Sequence, residues 1–315
     1  MNGRLRAARA ERHPGGVPLM PGRRGTSAIG DVSDTARWVA VHRARESLRP
    51  DALFHDPLAA ELVGADGADL ADPRLLPPGA RDHWPTVVRT RLIDDLLLRS
   101  ITEGCDRVVN LAAGLDTRPY RLPLPADMRW YEVDLPDVVA GKERVLAGRT
   151  PHCHRIGRAL DVTDRPALDD FLAEATAGAT RPLVLTEGLL PYLSEPQVRD
   201  LLAAVRAAPV HWWVFDHWSP LMLRAVNILL GGVLGSASWR FAAPLTYFDG
   251  WTLDSAQAIF RAAARLRRAP LPFAPWALLP DRGLLGRPET SRVWCATVRL
   301  RRTEEQDRHE HHSRG

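Results

Sequence analysis

Between residues 105 and 218, five short apolar runs alternate with segments of helical spacing, and this rhythm restricts the fold more than any other feature. The runs are RVVNLAA, RWYEVDL, HRIGRALDV, PLVLTEGLLPYL and VHWWVFDHW. Residues 136–147, 166–175 and 195–207 between them have helical spacing. Strands that alternate with helices build a parallel sheet with helices on both faces. The expected class is therefore α/β, with a central, mostly parallel sheet.

The flanks extend this plan. DVSDTARWVAVHRARESLRPD reads as a helix that Ser33 or Asp34 can cap. DPLAAELV is a second short helix. WPTVVRTRLIDDLLLRSITEG is a long amphipathic one that ends at Gly104. Residues 219–250 break the rhythm with an apolar, aromatic insertion after the fifth strand. LDSAQAIFRAAARLRRA is expected to resume as a helix, and SRVWCATVRLR to close the sheet. The expected organisation is a disordered basic arm at 1–25, one domain at 26–302 and a disordered tail at 303–315. Within the domain, 26–104 form N-terminal lid helices, 105–218 the core and 219–250 a substrate-side insertion.

Charge and composition narrow the setting. Residues 1–25 hold six Arg against one Glu, so the basic pI near 9.3 comes largely from that arm. The arm reads as solvated, and no nucleic-acid partner is expected. No run reaches the roughly 18 apolar residues of a membrane span. Cys105, Cys153 and Cys295 lie far apart, as reduced thiols of a cytoplasmic protein would.

In open parallel sheets the ligand sits beyond the carboxyl ends of the strands. Those ends carry Gly114 and Asp116, then Asp134, Asp161, Glu187 and Asp216. Gly114 lets backbone approach a ligand closely. Asp134 can hold two ribose hydroxyls. A dinucleotide asks for G-x-G-x-x-G, but the equivalent residues are Ala112, Gly114 and Thr117, with Asp116 adding negative charge. That penalises NAD and not a phosphate-free sulfonium cofactor. Asp161 can accept from an adenine amino group, and the Val162 N–H can donate to a ring nitrogen.

These residues bring the chain to a known family. VSDTARWVAVHRA, PDALFHDPLAAEL, VVRTRLIDD, VVNLAAGLDTRPYRL, YEVDLPDVVAGKERVL and VLTEGLLPYLSEPQV resemble the bacterial S-adenosylmethionine-dependent methyltransferases related to leucine carboxyl methyltransferase. That group includes polyketide O-methyltransferases. The resemblance implies the class I methyltransferase (Rossmann-like) fold and S-adenosyl-L-methionine as cofactor. It implies that Arg91 pairs with the methionine carboxylate, Gly114 passes under methionine and ribose, and Asp134 holds the ribose. Asp161 and Val162 would bind adenine, and Glu187 would lie near the transferred methyl. Two departures stand out: Ala112 where many relatives have Gly, and DVT at 161–163 where relatives often read DLR.

Methyl transfer is an in-line displacement, helped by orientation and exclusion of water. A carboxylate acceptor needs no base, whereas a hydroxyl benefits from one. Base candidates are Tyr192, His217 and Asp216. The expected function is O-methylation of a small, apolar or aromatic, polyketide-like metabolite by a monomer or homodimer. The alternatives are an NAD-dependent oxidoreductase and a non-catalytic regulatory or nucleic-acid-binding protein. No metal is expected: HCH at 152–154 has no second ligand cluster of zinc spacing. HEHH near the C-terminus reads as exposed tail, and the pair Asp94–Asp95 as a solvated helix face. Asp116 is expected to contact the cofactor or, by a slight preference, to pair with Arg118 or Arg121 and fix the turn.

Overall fold

A computed structural model describes residues 32–64, 84–234, 239–269 and 295–303. The basic arm at 1–25, residues 304–315 with the HEHH stretch, and residues 291–294 of the last predicted strand lie outside the described residues. The five predicted strands are β1 (Arg107–Leu111), β2 (Arg129–Asp134), β3 (His154–Ala159), β4 (Pro182–Thr186) and β5 (Trp212–Trp218). They pair in parallel. The sheet order is β3-β2-β1-β4-β5-β7-β6, with β7 (Cys295–Arg302) antiparallel to β5 and β6 (Trp251–Ala258) antiparallel to β7. The chain winds outward from β1 to β3, then returns to the other side of β1 as β4. That reversal opens a crevice at the carboxyl ends of β1 and β4.

The helices are α1 (Val32–Ser47), α2 (Pro57–Val63), α3 (Trp84–Thr102), α4 (Arg118–Arg121) and α5 (Pro136–Leu146). They continue as α6 (Arg165–Thr176), α7 (Glu195–Ala207), α8 (Pro220–Leu234) and α9 (Ile259–Arg265). Strand residues alternate between two apolar layers. Val109, Val133, Val184 and Phe215 pack with Phe171 of α6 and Leu201 of α7. Val108, Trp130, Leu183, Leu185 and Val214 pack on the other face with Ile93, Leu96 and Leu97 of α3. No helix among the described residues is long and apolar enough to cross a membrane.

Two expectations need correction. LDSAQA is not the start of a helix but most of β6, and the helix occupies only Ile259–Arg265. A register shift between Leu253 and Ser255 keeps Trp251, Leu253, Ala256 and Ala258 all against the core. This bulge breaks the period-2 alternation by which a strand is recognised. The first helix spans Val32–Ser47, so Ser33 and Asp34 fall within it rather than before it.

Candidate active site

The loop after β1 makes the floor of the crevice. Ala112 takes φ +54° and Gly114 φ +49°, both in the left-handed region. The Gly114 amide donates to Asp134 Oδ2 at 2.6 Å, and the Leu135 amide donates to Oδ1 at 2.7 Å. The end of β2 is thereby locked to the β1 loop. A Cβ on Gly114 would stand 3.3 Å from the Ala36 Cβ, so α1 packs directly against the loop. Burial raises the Asp134 pKa, opposed by the two amide hydrogen bonds and by Lys142. An ionised carboxylate has about four lone-pair sites, so two amides leave acceptor capacity for a ligand.

Asp161, beyond the end of β3, is exposed. It accepts from the Thr163 amide (2.9 Å) and the Thr163 hydroxyl (2.7 Å), both on Oδ1. Thr163 therefore takes up the role of shaping this turn in the divergent DVT segment. Val162 is half-buried against the core.

At the end of β4, Glu187 accepts from Arg89 Nε at 3.0 Å and pairs with Arg118 at 2.7 Å. Burial pushes its carboxyl pKa up, but Arg118 and Arg89 outweigh burial and hold it below the usual range. Arg89 also donates to Asp216 Oδ2 at 3.1 Å. Asp216, at the end of β5, further accepts from the Gly188 amide (2.6 Å) and the Trp218 indole (2.7 Å). Arg118 reaches Asp116 and Asp94 as well, each at 2.7 Å, and Arg121 binds Asp94 at 2.6 Å. A buried lattice of alternating charge thus runs from α3 through α4 to β4 and β5.

This lattice changes two expectations, for Arg91 and Asp94, and bears out the preferred one for Asp116. Arg91 lies outside this lattice: its side chain is 41% exposed and bonds Asp95 and the Leu53 carbonyl. The guanidinium beside Glu187 is Arg89, 11% exposed. The two lie about 200° apart on a helix, so only one can face the sheet. Arg89 falls on the buried stripe with Ile93, Leu96 and Ser100, which was the missed signal. Asp94 is not solvated: it is buried between Arg118 and Arg121, while Asp95 is the half-exposed member of the pair. Asp116 is turned inward onto Arg118 and the Asn110 amide, and Arg118 and its neighbours hold its pKa far down despite burial. Its charge therefore fixes the turn and does not face a ligand.

Tyr192 follows β4 on a 3-10 turn, edge-on to Trp239 at 6.3 Å between ring centroids. Trp239 in turn contacts Trp218 at 4.5 Å, and Asn227 of α8 brackets its backbone N–H and carbonyl. The insertion after β5 is thus stitched over the loop after β4. Burial raises the Tyr192 pKa. Strand alternation turns His217 to the face opposite Asp216, beside Phe215, and burial pushes its pKa down to about 3. Among the described residues no cluster of three or more His, Cys, Asp and Glu could hold a metal.

Comparison with known proteins agrees with this architecture. The sequence pattern of the leucine carboxyl methyltransferase family matches residues 36–206. Over 193 residues the chain is 41% identical to a protein of Parafrankia sp. (strain EAN1pec), covering 58% of this chain and 60% of the relative. Over 278 residues it is 36% identical to a protein of Frankia alni, covering 80% of this chain and 94% of the relative. Both are named as S-adenosyl-L-methionine-dependent methyltransferases. The chain belongs to the leucine carboxyl methyltransferase family of S-adenosyl-L-methionine-dependent methyltransferases.

Proposed function

We propose that this protein methylates a carboxylate oxygen of a small, apolar or aromatic metabolite. The residues present fit the cofactor. Gly114 supplies a floor without a Cβ, and Asp134 retains acceptor capacity for ribose hydroxyls. Asp161 keeps an oxygen for an adenine amino group. Arg89 offers a cation at the methionine end, and Glu187 a carboxylate toward its amino group. When bound, S-adenosyl-L-methionine supplies a methyl group already activated by its sulfonium. The protein's part is to bind, orient and exclude water.

The observation that carries the carboxylate reading is that each base candidate is spent. The neutral His217 imidazole, with a pKa near 3, takes a proton poorly. The Tyr192 phenol is pushed further from ionisation. Asp216 already accepts from an amide, an indole and a guanidinium. Effective general bases titrate near the working pH; burial moves His217 and Tyr192 away from it, and the Asp216 oxygens are already taken up by donors. A carboxylate acceptor is ionised unaided. The edge-to-face cluster of Tyr192, Trp239 and Trp218 supports an apolar or aromatic body on that acceptor.

The test has two arms. S-adenosylhomocysteine should raise the melting temperature, and NADH should not. With a panel of aromatic acids and phenols, acids should be turned over with kcat/KM flat between about pH 6 and 9. Turnover of phenols alone, rising with pH, would overturn the carboxylate reading.

A further inference from the structure

Of the 42 Lys and Arg residues in this chain, Lys142 is the one lysine. Arginine fills every other cationic position, exposed or buried, so the exception asks for a local cause. Lys142 is buried on α5, with Nζ 2.7 Å from Glu132 Oε2. Arg155 of β3 donates to that same oxygen at 2.9 Å. Glu132 Oε1 is buried without a hydrogen-bond partner. Two cations therefore converge on a single oxygen, one as a planar fork and one as a point charge.

Glu132 and Asp134 are two residues apart on β2 and so share a face. Positive charge at Lys142 favours the ionised forms of both Asp134 and Asp116. It thus links the β2 end to the β1 loop, the two elements joined by the Gly114–Asp134 hydrogen bond. A guanidinium binds best with two acceptor positions side by side, and Arg155 already occupies the shared oxygen. An arginine at 142 would bring a second planar fork, longer than the ammonium, to a carboxylate whose Oε2 Arg155 already shares, and so would re-aim Glu132 on the strand face it shares with Asp134.

We propose that Lys142 is a positioning residue of the cofactor site, holding Asp134 through Glu132 in a way that arginine cannot reproduce. This rests on the cofactor reading above. Calorimetry with S-adenosylhomocysteine should be run on the wild type, Lys142→Arg and Lys142→Met. Lys142→Arg is expected to stay folded and bind about tenfold more weakly. Its KM for S-adenosylmethionine should rise by a similar factor while kcat stays within about twofold. Wild-type affinity in Lys142→Arg would overturn the inference. Selective 15N-lysine labelling gives a second readout that needs no variant, because the chain has one lysine side chain. Its ammonium resonance should shift on adding S-adenosylhomocysteine, and an unmoved resonance in ligand-bound protein would also overturn the inference. A wild type that binds no S-adenosylhomocysteine sinks the cofactor reading and this proposal together. Wild-type binding with an indifferent Lys142 sinks this proposal alone.

Discussion

Arg89 and Arg91 stand two positions apart, yet they occupy different environments. Arg89 neutralises Glu187 and Asp216 beneath the crevice, while Arg91 spans a half-exposed pair with Asp95. Arg89→Gln should weaken S-adenosylhomocysteine binding by about tenfold or more in calorimetry, whereas Arg91→Ala should leave it within about twofold. Equal effects would contradict the assignment. Ala112 offers a second residue-scale prediction. An L-residue in the left-handed region costs roughly 1–2 kcal/mol, and the entropy of a new glycine takes back about 0.5–1. Ala112→Gly should therefore stabilise the protein by up to about 1.5 kcal/mol, read as a higher urea midpoint. Gly114→Ala should lower it, because the same backbone cost comes with close approach to Ala36. That Asp134, Asp161 and Glu187 stand at or just beyond strand ends was legible in the sequence, because those ends are marked by the apolar runs before them. Arg89 was not, because choosing between two arginines needs the helix phase, which Ile93 and Leu96 supply.

The five parallel strands and their helices were readable because each apolar run is continuous and each helix keeps one stripe. β6 was not, because its bulge shifts the buried positions by one residue midway. The bulge region carries Asp254, whose Oδ2 accepts from Arg299 Nε at 2.6 Å while Oδ1 binds Arg301 at 2.8 Å. Arg299 is fully buried and also holds Ser100 of α3 at 2.9 Å. Removing one partner of a buried pair typically costs about 3 kcal/mol or more. Asp254→Asn should lose about that much in urea denaturation, with S-adenosylhomocysteine affinity unchanged. A full-stability variant would show that the pair does not hold β6 and β7 to α3. Similarly, α4 escaped the sequence reading because four residues carry no periodicity, although its two arginines anchor the charge lattice.

For the whole molecule, ion pairs join the N-terminal helices to the core. Arg43 of α1 binds Asp56, the cap of α2, at 2.8 Å and also reaches the Leu115 carbonyl of the β1 loop. Helices α1 and α2 and the β1 loop are thus parts of one bonded unit, which no local pattern could announce. Burial dominates the pH response. His217 and His42 are both pushed down to about 3, from an ordinary value of 6.5, by burial. The unfolded chain protonates them first, so their stabilising effect is complete above pH 6.5 and is lost as pH falls toward 3. Between about pH 6.5 and 5 each should cost about 1–2 kcal/mol, measurable as a falling urea midpoint. Asp116 and Glu187, held low by their arginines, extend the loss into the carboxylate range. A midpoint constant from pH 7 to 5 would contradict this burial. The central claim is that the ends of β1, β2 and β4 bind S-adenosyl-L-methionine. Calorimetry with S-adenosylhomocysteine on the wild type and Asp134→Ala tests it most directly. The account predicts one-to-one binding that weakens by about tenfold or more in the variant, through loss of charge-assisted hydrogen bonds. No binding by the wild type, or equal affinity in a folded Asp134→Ala, would contradict it.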